Sequence, residues 1–196
     1  WEKALGYIKQ PHDIGAFNVD MQGLGADPAM ATFLQGGAAM HPIGSWLIGT
    51  ANELADSDFK YAEFDTPVID PEHPLKDSVI GTVTGFVVHA KAKNHDGAIR
   101  FLKFYTNEAN QKLRAEAGSL SPIKGVNEAA NLDDHTKSMA AMLAEAPAMV
   151  PPPDTTYPVA VAEAYYEAAA YVATGEKSPK DALTWLDEKV ALIGNE

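Results

Sequence analysis

The 196-residue chain contains no cysteine. Disulfides, thiolate nucleophiles and thiolate metal sites are therefore excluded. Positive charge is scarce as well: 15 Lys and Arg against 27 Asp and Glu leave a net charge of −12. A chain of this sign suits neither nucleic acid nor an anionic membrane surface, since both require a basic face. The acids are spread along the chain rather than gathered in a tail, as on a solubilising surface. No apolar run approaches the roughly 20 residues of a membrane-spanning helix. There is no repeat, heptad series or low-complexity tract. Hydrophobic residues still make up 46%, enough to bury one sizeable core or two small ones.

Catalytic and metal-binding patterns are also missing. None of the six histidines stands in an H-x-x-x-H or H-E-x-x-H spacing. Asp133-Asp134-His135, the densest cluster, falls at a predicted helix start, where acids favour the helix dipole. Asp56-Ser57-Asp58 lacks the glycine and closing glutamate of a calcium loop. Glu63 and Asp65 share one side of a predicted strand from Phe59 to Phe64, which reads as a solvated face rather than a glycosidase pair. Gly23-Leu24-Gly25 is a turn without the third glycine of a dinucleotide loop, and no G-x-S-x-G element occurs. We expect no metal, no cofactor and no enzymatic activity.

What is present begins with residues 33–46. Asp27 as N-cap and Pro28 at the first helical position open a helix that Phe33 and Leu34 close. Gly36 and Gly37 permit the left-handed backbone that ends a helix. Ala38, Ala39, Met40 and Ile43 predict a short strand buried on both faces, with Pro42 marking its end or an edge. Trp46 follows Gly44-Ser45, where it either joins the core or faces a ligand; the small residues before it leave room for something to approach the ring. Further on, Ile80 to His89 is a β-branched run that predicts a buried strand. Asn94 caps a helix with an apolar stripe of Ile99, Phe101, Leu102 and Tyr105, and a second helix runs from Asn107 to Ala117, ended by Gly118. A long Ala-, Tyr- and Glu-rich helix follows Asp154 to Tyr157 and ends at Thr174-Gly175. Ser178 and Pro179 then open a last helix with Trp185, Leu186 and Val190 on its apolar face.

Three of these segments together resemble one family. Phe33 to Trp46 is similar to the F-x-x-G-x-A-A-M-x-x-x-G-x-W segment of bacterial extracellular solute-binding proteins of carbohydrate ABC transporters. Phe101-Leu102-Lys103-Phe104-Tyr105-Thr106, Gln111 and Ala115-Glu116-Ala117-Gly118 match a second stretch of that family; Asp96 stands where proline is usual, and Tyr105 replaces an aliphatic residue. The residues from Thr174-Gly175 through the last helix resemble its terminal signature.

The resemblance implies an α/β fold of the periplasmic-binding-protein type (type II), helix-rich with short strands, of which this chain is the C-terminal portion. Residues 1–70 and 126–196 are expected in the second lobe and 80–118 in the first, with hinge crossings at 71–79 and 119–125. The chain opens in an amphipathic helix with no signal peptide, so the N-terminal half of the same protein is expected as a partner, alongside ABC permease subunits. The implied function is extracytoplasmic capture of a carbohydrate, an oligosaccharide, by closure of two lobes. The implied location is periplasmic or extracellular, with lipoprotein anchoring open. Binding of a polyamine, a phosphate ester or another small solute remains an alternative, as does a carbohydrate-active enzyme or a sensor domain. In the family the closing tryptophan stacks on a sugar ring, which marks Trp46 with Ser45 and Gly44 beside it. From the residues themselves, Gly81, Thr82 and Thr84 offer backbone groups and hydroxyls at a strand end. Asp154 is a polar candidate or a helix cap, and Tyr157 a second stacking candidate. Tyr165, Tyr166 and Tyr171 are assigned to packing.

Overall fold

The computed structural model describes residues 1–19, 23–73, 75–83 and 85–194. Their secondary structure is mostly helical: α1 (Glu2–Asp13), α2 (Ala26–Leu34), α3 (Leu47–Leu54), α4 (His95–Tyr105), α5 (Glu108–Glu116), α6 (Val126–Ala129), α7 (Asp134–Glu145), α8 (Pro153–Thr156), α9 (Val159–Ala173) and α10 (Pro179–Ile193). Two short strands, β1 (Val79–Ile80) and β2 (Met149–Val150), pair in parallel. The chain divides into two compact units, Trp1–Ala31 with Pro151–Glu196, and Thr32–Val150.

In the first unit α1, α9 and α10 pack together. Their core is Leu5, Ala164, Ala168, Val172, Ala182 and Leu186. Ala164, Ala168 and Val172 recur at four-residue intervals and so share one face of α9; the two alanines leave room for the neighbouring helices. Burying Leu5, Val172 and Leu186 contributes about 1.5–3 kcal/mol each. The α9–α10 turn needs a glycine twice over. Gly175 has φ 75°, and any side chain there would run into the His12 ring, whose Nδ1 bonds the Ala173 carbonyl at 3.0 Å. Ser178 then caps α10, accepting from the Asp181 N–H at 3.1 Å while its hydroxyl donates to Asp181 Oδ2 at 2.6 Å.

In the second unit the β1–β2 pair is the only sheet among the described residues. Val79 N–H donates to Ala148 O at 3.1 Å and Gly81 N–H to Val150 O at 3.0 Å. Parallel pairing demands a long crossover, supplied here by α4 to α7. Asn94, Asn107 and Asp133 each cap a helix through a side-chain oxygen that accepts a backbone N–H. Leu47, Ile48 and Ala51 of α3, Ala115 of α5, Val126 and Leu132 are buried. The end of α5 approaches α3 closely: Gly118 has φ 88°, and a Cβ on it would lie 2.8 Å from the Gly49 nitrogen.

Several local expectations change. Residues 38–43 form no strand and Met40 is 70% exposed, because this stretch has no neighbouring strand to bond and Pro42 has no N–H to offer. Residues 59–64 are likewise irregular, and the strand expected from Ile80 to His89 stops at Ile80. Helix α2 begins at Ala26, which puts Asp27 in its first turn rather than at its cap. The apolar stripe of α4 forms, yet none of its residues is buried. Residues 33–46 and 80–118 both fall within Thr32–Val150, where the Gly49–Gly118 approach ties α3 to the end of α5.

Candidate functional site

Trp46 stands immediately before α3, at its N-cap position, with helical backbone angles. Two hydrogen bonds fix this turn: Leu47 N–H to Gly44 O at 3.1 Å and Ile48 N–H to Ser45 O at 3.2 Å. The six-membered ring of the indole occupies the place that a side chain on residue 44 would take. The room that the sequence provides beside Trp46 is thus filled by the tryptophan itself, which rests on Gly44 while remaining 67% exposed. Glycine at 44 therefore sets the ring's orientation. Ser45 is half-buried.

The other candidates are distributed between the units. Gly81 and Thr82 follow β1 in the second unit. The Gly81 N–H is already committed to Val150 O, and the Met149 side chain lies beside the Gly81 α-carbon. Of the Gly81 backbone groups only the carbonyl is left outside this bond, and Thr82 is exposed. Thr84 lies outside the described residues. Asp154 and Tyr157 belong to the first unit. Asp154 is exposed in the first turn of α8, whose N-cap position is Pro152, and no side chain caps that helix. Tyr157 ends α8 in extended conformation, 41% exposed, and its ring stacks on Tyr165 with centroids 5.4 Å apart and planes 16° from parallel.

A polar and aromatic cluster in the second unit was not legible as a site. Phe33 meets Phe59 edge-on at 5.4 Å, Phe59 stacks on Tyr61 at 5.8 Å, and Tyr61 lies flat on His135 at 4.0 Å with 9° between planes. His135 Nδ1 pairs with the Glu63 carboxylate, so Glu63 is held rather than solvated. Asp133 caps α7 through Thr136 N–H at 2.7 Å and also accepts from Asn52 Nδ2 of α3 at 3.0 Å. Burial alone would raise the Asp133 carboxyl, but the hydrogen bonds from Thr136 and Asn52, with His135 nearby, outweigh it and hold it below the usual carboxylate range. The Tyr61 phenol is pushed up to about 12 by burial, then by the Glu63 and Asp133 charges. Glu63 and the Asp133-Asp134-His135 cluster stand out in the sequence separately; what joins them does not, because His135 lies more than 70 residues from both Tyr61 and Glu63.

A shallow open depression of about 400 Å³ on the first unit is lined by Glu176, Lys177, Asp181, Thr184, Trp185 and Glu188. It includes none of the ligand-contact candidates drawn from the sequence, although Trp185 was expected on the apolar face of the last helix. No group of three or more His, Asp or Glu among the described residues is arranged to hold a metal ion. The described residues thus present exposed aromatic surfaces with polar neighbours, an arrangement suited to binding.

The family model for bacterial extracellular solute-binding proteins matches residues 2–112. The chain belongs to that family. No curated protein matches it. Members capture a solute outside the cytoplasm for ABC transport, and the family is typically non-enzymatic. This solute-binding protein accordingly works periplasmically or extracellularly, with a small solute and ABC transporter components as its partners. The match covers the Trp46 turn, the β1 end and the caps of α4 and α5, whereas Asp154, Tyr157 and the Asp133 cap lie beyond it.

Proposed function

We propose that the solute captured by this protein is a carbohydrate, an oligosaccharide, held without covalent chemistry by closure of two lobes around it. The motif resemblances support a type II periplasmic-binding-protein fold, of which these residues form the C-terminal portion. The observation that carries the reading is Trp46: an indole oriented by Gly44 at a helix start, with most of its surface open to solvent. Sugars present C–H faces that pack on such rings, while their hydroxyls bond to nearby polar groups. Ser45, the Gly44 and Gly81 carbonyls, Thr82, Asp154 and Tyr157 are the further contacts in this reading.

The reading is tested by following protein NMR shifts during titration with defined linear oligosaccharides. Trp46→Ala weakens sugar binding by about 1–3 kcal/mol without unfolding the protein, the value of an aromatic contact face. Gly44→Ala weakens it too, because the new methyl displaces the indole. Sugar binding that ignores both substitutions removes Trp46 from the site.

A second reading, a polyamine ligand, draws on the depression beside Trp185. There Glu176, Asp181 and Glu188 stand with the Trp185 ring and outnumber the one cation, Lys177, which pairs with Glu176; this acidic excess suits a linear cation. Spermidine in the same titration separates the two readings.

A further inference from the structure

Six methionines are the only sulfur in this chain, so an oxidant meets no cysteine thiol before it reaches them. Met149 stands apart from the other described methionines by where its sulfur lies. It belongs to β2, paired in register with Val79, and so shares a face of the ladder with Val79 and with Gly81 two residues on. Its Sδ, Cγ and Cε lie 3.2, 3.3 and 3.4 Å from the place that a Cβ on Gly81 would take. The thioether thus lies across the glycine, yet Met149 is 42% exposed. Met40 is more exposed but belongs to residues 38–43, which form no strand, and Met30, Met139 and Met142 are half-buried on helices.

Two bonds of the ladder flank this residue. The Val79 N–H donates to the carbonyl of Ala148, and the Gly81 N–H to the carbonyl of Val150, the residues on either side of Met149. A shift of Met149 therefore moves both acceptors. The side chain fits where it is because a thioether is slim, pliable and apolar. A sulfoxide is none of these: the added oxygen makes the sulfur bulkier, pyramidal and strongly polar. The Gly81 N–H is committed to Val150 and cannot serve that oxygen without giving up the ladder. An oxidised side chain must then either turn out to water and uncover the glycine, or take the N–H and break the bond. Both outcomes loosen a ladder only two residue pairs long.

We propose that Met149 is a reversible oxidation site, an oxidant-sensitive clasp whose conversion to the sulfoxide by hydrogen peroxide opens the β1–β2 ladder. A lone pair on Sδ attacks one peroxide oxygen, the S–O bond forms as the O–O bond breaks, and the other oxygen leaves as water with both protons. Sulfur loses two electrons and the peroxide gains them. The reverse step uses a methionine sulfoxide reductase and two thiols, which end as a disulfide while the sulfoxide oxygen leaves as water. Opening frees the strand end that carries Gly81 and Thr82. The inference holds whichever solute the protein captures, and it concerns the second unit alone.

The test treats the full 196-residue chain with dilute hydrogen peroxide and follows each methionine by peptide mass. Methyl-labelled methionine NMR and amide exchange then report on the ladder. Met149 should gain its oxygen ahead of the half-buried Met30, Met139 and Met142. Its methyl should lose contact with the Gly81 α-protons, and the Val79 and Gly81 amides should exchange about tenfold faster or more, as a ladder that has lost its cover does. Sulfoxide reductases A and B, one for each epimer, should restore both signals. Met149→Leu keeps an apolar side chain of similar volume that peroxide leaves alone, so treatment should not change its ladder exchange, while Met40→Leu should respond like the parent. Met149 that oxidises no faster than the half-buried methionines overturns the proposal. So does a Met149 sulfoxide that leaves the Val79 and Gly81 amides unchanged. Faster exchange in peroxide-treated Met149→Leu assigns the effect to another methionine and overturns it as well.

Discussion

Asp133 shows how much one side chain can hold. Its carboxylate caps α7 through the Thr136 N–H and hydroxyl, reaches Asn52 on α3, and sits beside His135. Its cap role was legible because the acidic cluster stands at a predicted helix start; the Asn52 bond was not, since it joins positions 81 residues apart. Asp133→Ala should cost about 1–2 kcal/mol in urea unfolding at neutral pH, the value of a lost N-cap. The sign with pH follows from the depressed carboxyl. Stabilisation by Asp133 is present above the unfolded value near 4, and it is lost as pH falls through the lower folded value. In Asp133→Asn, whose amide still caps the helix, the decline in stability below about pH 4 should be shallower than in the parent. Equal slopes for the two proteins would show that the carboxyl is not held down in the fold.

Among elements, helices were legible and strands were not, and the reason is range. Asn94, Asn107, Ser178 and Pro179 act within four residues of themselves, so their helices appear where the sequence places them. The β-branched run from Ile80 has strand character throughout, but only Val79 and Ile80 find a partner, and that partner is at Met149 and Val150. Residues 38–43 and 59–64 had the composition of strands without a neighbour to bond. Glycine was legible as a stop at Gly118, though not as a contact. Gly118→Ala places a side chain at φ 88° and against the Gly49 nitrogen, where backbone leaves little to yield. The substitution should destabilise the protein by more than about 1 kcal/mol, the penalty exceeding any gain from a stiffer unfolded chain. A melting temperature equal to or above the parent's would refute that close approach.

At the scale of the whole molecule, charge and apolar exposure are unevenly distributed. Six of the 15 Lys and Arg, but only two of the 27 Asp and Glu, fall between residues 89 and 114. In and beside that stretch Val83, Phe86, Val87, Ile99, Phe101, Phe104 and Leu113 are exposed. The amphipathic stripe of α4 was evident from the sequence; its exposure depends on what the rest of the chain covers, which no local pattern records. Apolar surface of this kind binds hydrophobic dyes. The isolated chain should enhance the fluorescence of anilinonaphthalene sulfonate, and Phe101→Asp with Phe104→Asp should remove most of that signal while leaving the melting temperature nearly unchanged. Undiminished fluorescence in the double variant would place the dye elsewhere.

The pairing of Val79 with Met149 and Ile80 with Val150 also has a consequence in time. It closes a loop of about 70 residues with a ladder only two residue pairs long. Closing a chain of that length costs entropy before any bond repays it, whereas the caps and turns of α4 to α7 close over a few residues. The helices should therefore assemble first and the ladder last. Because so short a ladder has little to hold it, it should also be the first part of this unit to open. In pulsed hydrogen exchange during refolding, the Val79 and Gly81 amides should gain protection after those of α4 and α7. At equilibrium they should exchange through local opening rather than global unfolding.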